Sequence, residues 1–329
     1  MSRKTIIAIG LLAVFLVSGC VGQPAEDGQA QPGLFGNLFK KAEPINKPFV
    51  TGTEALKFFF EENAPPASAL SSESFPLVVI AENRGATKVL AGQLKLTLSG
   101  TASGKGTGWQ LSGGNTRSNT GDIESRTVTI AKVALPGGKE IIEFGNVQYM
   151  GKLPEKKSIA LSIEACYPYQ TILQSSLCAA TRGGTCDPKA KKEFFSSSAP
   201  IAVTEFNQIS ATKTQQSKFD LSFKFTVANS GVGHSYATSS CNTDFLGDNV
   251  ISDIFTLEEI SYSGNNYDQE QLKCSKTLYN LPAKKDGVEV TCTLKDVSVT
   301  PNSNEPLVIK FNYVYKEPVK SSIDIIPVK

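Results

Sequence analysis

The stretch Phe219 to Gly231, FDLSFKFTVANSG, has an echo at Phe75 to Gly85, FPLVVIAENRG. In both, apolar residues alternate with polar ones and run into Asn-x-Gly. Adding 146 to the residue number carries Asn83 and Gly85 onto Asn229 and Gly231. The same offset carries Leu161, Ile163, Tyr167 and Tyr169 onto Leu307, Ile309, Tyr313 and Tyr315. Two separated pieces sharing one offset indicate an internal repeat. Period-2 alternation is the mark of half-buried strands. The repeating unit is therefore expected to be β-rich.

Working outward, residues 51–170 form the expected first β-sandwich and 200–329 the second, with 171–199 as a cysteine-containing connector. Expected strands of the first are Ala55–Glu61, Phe75–Glu82, Gln93–Ser99, Ser125–Val133, Lys139–Tyr149 and Ser158–Tyr169. Those of the second are Ile201–Ile209, Lys218–Ala228, Asp253–Tyr262, Gly287–Leu294, Glu305–Tyr315 and Ser321–Val328. Turn residues such as Pro136-Gly137-Gly138 separate them, and no long 3.6-residue period competes. The expected class is all-β, two tandem immunoglobulin-like β-sandwich domains after a lipoprotein signal and a flexible tether.

Residues 1–19 have the layout of a signal peptide. Arg3 and Lys4 precede an apolar run, Ile6 to Val17, too short to span a bilayer comfortably. The run ends in Val17-Ser18-Gly19-Cys20, which resembles the lipobox of prokaryotic lipoproteins. That resemblance implies cleavage before Cys20 and a lipid on its thiol. Residues 20–50 read as a lipid-anchored tether rich in Gln, Gly, Pro and Ala. Within it, Leu34, Phe35, Leu38 and Phe39 would share one face of a single helical turn, resting on lipid or plugging the first domain. The expected location is the outer face of the cytoplasmic membrane or the cell envelope. Of 33 basic residues, Arg3 and Lys4 leave with the signal, so 31 remain against 31 acidic ones. A neutral mature chain has no bulk attraction for nucleic acid.

Six cysteines besides Cys20 suit disulfides in an oxidising compartment. Cys274 and Cys292 are separated by two strands' worth of chain and are expected to pair. Three cysteines fall on each side of residue 200, so complete pairing needs a bridge between the halves. Cys241 with Cys178 or Cys186 is the expected choice, leaving Cys166 for the other connector cysteine. Two free thiols are the competing outcome.

Catalytic groups are sparse. The single histidine, His234, follows an expected turn and reads as solvated. Ser210-Ala211-Thr212-Lys213 matches Ser-x-x-Lys without companion motifs, and no Gly-x-Ser-x-Gly elbow occurs. Gly104 to Gly108 has the wrong spacing for a phosphate loop. Asp244, Asp248 and Asp253 lack the calcium-loop spacing. Zinc ligand spacings are missing, and no metal or cofactor is expected. Lys189 to Lys192 reads as a solvated basic loop. Trp109, the only tryptophan, lies in a polar insertion from Gly100 to Asp122. It is expected to fold onto the sandwich or to offer a contact to a protein or glycan. The tyrosines at 313 and 315 read as core-edge residues whose hydroxyls reach polar partners.

The alternation running into Asn-x-Gly, with closing strands Cys-Tyr-Pro-Tyr at 166–169 and Asn-Tyr-Val-Tyr at 312–315, resembles CARDB-like immunoglobulin-fold repeats of prokaryotic, especially archaeal, surface proteins. The resemblance implies display, adhesion or envelope assembly, with no catalytic residue to carry over. An accessory or solute-binding subunit of a membrane complex is the alternative, and an envelope hydrolase a third.

Overall fold

The computed structural model describes residues 49–328 apart from 101–106, 112, 130–132, 181–183, 216, 238–240, 242–252, 269, 276–277 and 282–286. The signal, Cys20 and the Leu34–Phe39 island lie outside the described residues, as do Asp244, Asp248 and most of the Gly104–Gly108 run.

The described residues are all-β, with no helix among them. The first half contributes β1 (Leu56–Phe60), β2 (Ser68–Leu70), β3 (Ser74–Asn83), β4 (Lys95–Leu98) and β5 (Gly108–Leu111). It continues with β6 (Thr116–Ser118), β7 (Thr127–Val128), β8 (Ala134–Leu135), β9 (Lys139–Met150) and β10 (Lys157–Ala179). The second contributes β11 (Phe195–Ser196), β12 (Ile201–Gln215), β13 (Lys218–Asn229), β14 (His234–Tyr236) and β15 (Ile254–Tyr262). It ends with β16 (Asn265–Tyr267), β17 (Leu272–Cys274), β18 (Leu278–Asn280), β19 (Val288–Ser298) and β20 (Ser303–Ile326).

Two four-stranded sheets have matching orders, β1-β3-β9-β5 and β12-β13-β19-β17. Interleaved with them in sequence and shared by both halves is a ten-stranded sheet whose main path is β16-β15-β20-β10-β4-β6. Its spine is the antiparallel pair β10·β20, unbroken in register from Lys157↔Ile325 to Ala179↔Ser303. Alternation decides which face is buried. Odd-numbered residues from Leu161 to Leu177 and from Leu307 to Tyr315 are buried, and the facing register pairs odd with odd. Rings from the four-stranded sheets meet that face, Phe58 against Tyr167 at 6.0 Å and Phe225 against Phe311 at 5.6 Å between centroids. Even-numbered residues point to the opposite face, which is more polar and mostly half-buried, with Cys166, Cys178 and Val314 buried.

Two expectations change here. The strand expected to end at Tyr169 runs on to Ala179, so residues 171–179 belong to the sheet rather than to a connector. The separate strands expected at Glu305–Tyr315 and Ser321–Val328 are one strand, β20. The halves are therefore not separate sandwiches beaded on a linker; they share a sheet. The physical reason is long-range pairing. Alternation within one strand shows a buried face but not which distant strand covers its edge.

The 146-residue offset is reproduced in space. It carries β10 from 157–179 onto 303–325, within β20. Pro168 pairs directly with Val314, and these two are equivalent under the offset. Such a register places a pseudo-twofold axis at that pair: Tyr167 faces Tyr315 and Tyr169 faces Tyr313. The four rings pack around it with centroid separations of 5.8–6.5 Å.

The Asn-x-Gly motif is a hydrogen-bonded corner made twice. Asn83 Oδ1 accepts from Gly85 N at 3.0 Å, and its Nδ2 donates to Thr87 O at 2.7 Å. Asn229 Oδ1 accepts from Gly231 N at 3.1 Å, and its Nδ2 donates to Gly233 O at 2.8 Å. The Tyr169 hydroxyl donates to Asn83 and accepts from Thr87 N; the Tyr315 hydroxyl does the same with Asn229 and Gly233 N. Glycine is required by this close approach, since a Cβ at Gly85 or Gly231 would collide with the Tyr169 or Tyr315 hydroxyl.

Tyr169→Phe and Tyr315→Phe each leave a backbone N–H without its acceptor and should cost about 1–3 kcal/mol. Gly85→Ala and Gly231→Ala should each cost about 1–3 kcal/mol by overpacking. Urea unfolding of the four variants checks this. Losses confined to one half would contradict the equivalence.

Candidate functional site

The concave feature best placed to bind something lies on the polar face of the central sheet, over the pseudo-twofold axis. It is a groove of about 550 Å³. Thr87, Lys88 and Gln93 of the first half form one wall. Pro168 and Gln170 of β10 and Asn312 of β20 form the floor, Thr256 to Glu258 of the adjacent strand β15 bound its far side, and Ala237 also lines it. Alternation explains the floor: these residues are even-numbered and so point away from the buried tyrosines. Gln170 Nε2 donates to Asn312 Oδ1 at 2.8 Å across the ladder, and Asn312 Nδ2 donates to Glu258. Lys88 at the rim is paired with Asp122 and Glu124, each at 2.7 Å. The groove is thus rich in carboxamides and hydroxyls, with its charges partnered within the protein.

Beside it the same face carries an apolar island. Cys166 bonds to Cys241, and the pair buries Val314 together with Tyr236. The Lys316 ammonium sits 5.4 Å from the Tyr236 ring centroid and reaches Glu164 Oε1 at 3.2 Å. The bridge between the halves is therefore Cys166–Cys241, not the expected bond from Cys241 to Cys178 or Cys186. Those two bond to each other across eight residues. Cys166 faces outward, opposite its neighbours Ala165 and Tyr167, and that places it under the incoming Cys241. Cys274–Cys292 forms as expected, joining directly facing residues of β17 and β19. Three disulfides fit an oxidising, extracytoplasmic environment.

The other singled-out residues fall elsewhere. Trp109 offers no surface contact: it is 2% exposed on β5. It packs against Phe75 and Tyr149 and donates to Ala160 O at 3.1 Å. The expected insertion around it supplies β5, where Trp109 and Leu111 alternate with Gln110, and the polar strand β6. His234 opens β14 directly after the bend over 231–233; its ring is largely exposed and lies 2.9 Å from Asp253 Oδ2. Lys192 is not solvated. It is buried and donates to Asp187 O at 3.1 Å, and burial lowers its pKa. Ser210 to Lys213 lie on β12. The Tyr313 and Tyr315 hydroxyls reach Thr171 and Asn229, as expected of core-edge tyrosines. Among the described residues, no three His, Cys, Asp or Glu side chains converge as metal ligands.

One half-buried acid, Glu317, was missed in the sequence. Tyr167 donates to Glu317 Oε1 at 2.7 Å. The offset makes Glu317 the equivalent of Thr171, which holds Tyr313 in the same way at 3.0 Å. Aligning residue 317 with 171 would have flagged a carboxylate where the first half has a hydroxyl. Burial raises the Glu317 pKa, only partly opposed by the Tyr167 hydrogen bond, and burial beside this carboxylate also drives the Tyr167 pKa up.

Compared with known proteins, the chain matches no family model and no curated protein.

The Glu317 geometry has a pH consequence. A carboxyl with a raised folded pKa binds its proton more tightly folded than unfolded. Its contribution is full below the ordinary carboxylate range and is lost as pH rises through the folded value. Glu317→Gln keeps the acceptor for Tyr167 without the charge. It should therefore melt higher than wild type at about pH 8, with the gain vanishing near about pH 4. Melting curves across that range check it; a gain independent of pH would contradict the assignment.

Among the disulfides, Cys166–Cys241 closes the longest loop, 75 residues against 8 and 18. In the chain-entropy model it contributes most, about 4 kcal/mol. Cys166→Ser with Cys241→Ser should lower stability more than either other double serine variant, read by urea unfolding.

Proposed function

We propose that this is an exported, lipid-anchored protein of the cell surface, whose body is a rigid display and binding element in adhesion or envelope assembly. The observation carrying this reading is the single unbroken β10·β20 ladder, reinforced across the halves by Cys166–Cys241. An element that projects from a membrane and carries load needs its parts joined by many backbone hydrogen bonds in register, not by a hinge. The ladder and the bridge supply that property, and disulfides suit the compartment. Each half combines a four-stranded sheet with its share of the central one, which supports an immunoglobulin-like reading of the repeat. The order signal, Cys20, tether and β body is what anchorage at a distance from lipid would require.

A second reading is an accessory or solute-binding subunit of a membrane complex. The groove favours it, because residues from both halves line one concavity.

Anchorage is tested in the native host. Wild-type protein should partition into the detergent phase and begin at Cys20, whereas Cys20→Ser should appear in the aqueous phase or as precursor. A wild-type mature protein retaining residues 1–19 would overturn the lipid anchor.

A further inference from the structure

Alternation gives each four-stranded sheet an inner and an outer face. In the first half, Phe58 of β1, Val79 of β3 and Ile142 of β9 point into the core. Their neighbours point outward, and the register sets these in rows across the strands. Phe59 pairs with Ile80, and Ile80 with Ile141, so three large apolar side chains form one outer row. Ile141 is 59% exposed. Along one side of this row lies a second, Lys57, Glu82 and Lys139. Along the other lies a third: Val78 pairs with Glu143, and Glu61 N donates to Val78 O at 3.1 Å. The outer ends of both flanking rows, Lys57 with Lys139 and Glu61 with Glu143, are exposed. The face is therefore an apolar row with a basic edge and an acidic edge.

The second half is built without this row. The 146-residue offset carries Phe59 and Ile80 onto Glu205 and Thr226, which pair with each other. Thr226 pairs in turn with Glu289, so the corresponding outer row is polar from end to end. A sheet of the same strand order thus forms without apolar residues at these places. The apolar row of the first half is not needed to make the sheet. Within it, Arg84 and Lys139 are paired with Glu82, and Lys57 sits 5.7 Å from the Phe59 ring centroid. Among the described residues, no ion pair takes up Lys57, Glu61 or Glu143.

We propose that the outer face of β1, β3 and β9 binds a second copy of this chain, face to face, through the row Phe59, Ile80 and Ile141. The charge pattern selects both the occupant and its orientation. Two copies of one face meet through a twofold axis lying between them. With that axis along the apolar row, each row residue meets its own counterpart. Lys57 of one copy then meets Glu61 of the other, and Lys139 meets Glu143, each contact made twice. With the axis along the strands, Lys57 would meet Lys139 and Glu61 would meet Glu143. Like charges set against each other oppose association, so the pattern fits itself in the first arrangement and rejects the second. A surface of anionic lipid would be repelled by Glu61 and Glu143, and fits the face less well than a copy does. The inference goes beyond the display reading given above and does not depend on the lipid anchor.

Sedimentation equilibrium tests this on residues 20–329 with Cys20→Ser, a chain that keeps every described residue and carries no lipid to bridge copies. It should show a reversible monomer–dimer equilibrium, with dimer present by millimolar chain. Ile141→Lys should weaken the dimer at least tenfold and leave the melting temperature of the monomer unchanged, because the side chain is exposed. The edges are tested by charge reversal. Lys57→Glu with Lys139→Glu should give a monomer, as should Glu61→Lys with Glu143→Lys. An equal mixture of these two variants should form a heterodimer, and the chain carrying all four substitutions should dimerise with itself. A parent chain that stays monomeric at millimolar concentration would overturn the proposal. So would a dimer indifferent to Ile141→Lys, or reversal variants that fail to pair with each other. A dimer lost instead through Leu34→Ser with Phe35→Ser would also overturn it, by assigning the contact to the tether.

Discussion

The antiparallel pairing of Lys157–Ala179 with Ser303–Ile325 is the constraint on which everything else depends. Because side chains alternate faces, a slip of β20 by one residue would turn Tyr313 and Tyr315 from the core to the polar face, and a slip of β10 would do so to Tyr167 and Tyr169. That slip would also bring Cys166 inward, away from Cys241. The register is therefore specified from both faces at once. On one side it is fixed by buried rings and by hydroxyls tied to the two Asn-x-Gly corners. On the other it is fixed by the disulfide and by the Gln170–Asn312 contact.

The near-symmetry gives the differences meaning. Most of the paired core is equivalent: the same asparagine, glycine and tyrosine make the same hydrogen bonds in each half. The departures concentrate close to the axis. Thr171 is matched by Glu317, and Cys166 by Asn312. A half-buried carboxylate stands where the other half has a buried hydroxyl, and a carboxamide stands where the other half has a bridged cysteine. Residues that build the sheet are shared, whereas some of their neighbours are not, which is where a repeat can acquire a task its copy lacks.

Much of this was legible in the sequence. The offset appears in Asn83/Asn229 and Tyr169/Tyr315, and the alternation of Leu307 to Tyr315 shows which face is buried. The pairing of Cys274 with Cys292 follows from two strands and a turn between them. What could not be read is non-local. Nothing within either closing strand says that each pairs with the other, because the alternation is the same whatever strand lies alongside. The wrong partner for Cys241 follows from that omission: once β10 and β20 are neighbours, Cys166 faces outward near the axis, within reach of the second half. Trp109 folds onto the sandwich, the first of its two expected places, but the Gly- and Ser-rich sequence around it hid the short strand β5 that carries it.

The central claim is that both halves form one cooperative structure through a shared sheet. Differential scanning calorimetry of the disulfide-intact chain tests it most directly. The account predicts one transition whose calorimetric and van't Hoff enthalpies agree, because neither half keeps its share of the central sheet once the other unfolds. Two separable transitions, each with the enthalpy of about half the chain, would contradict it.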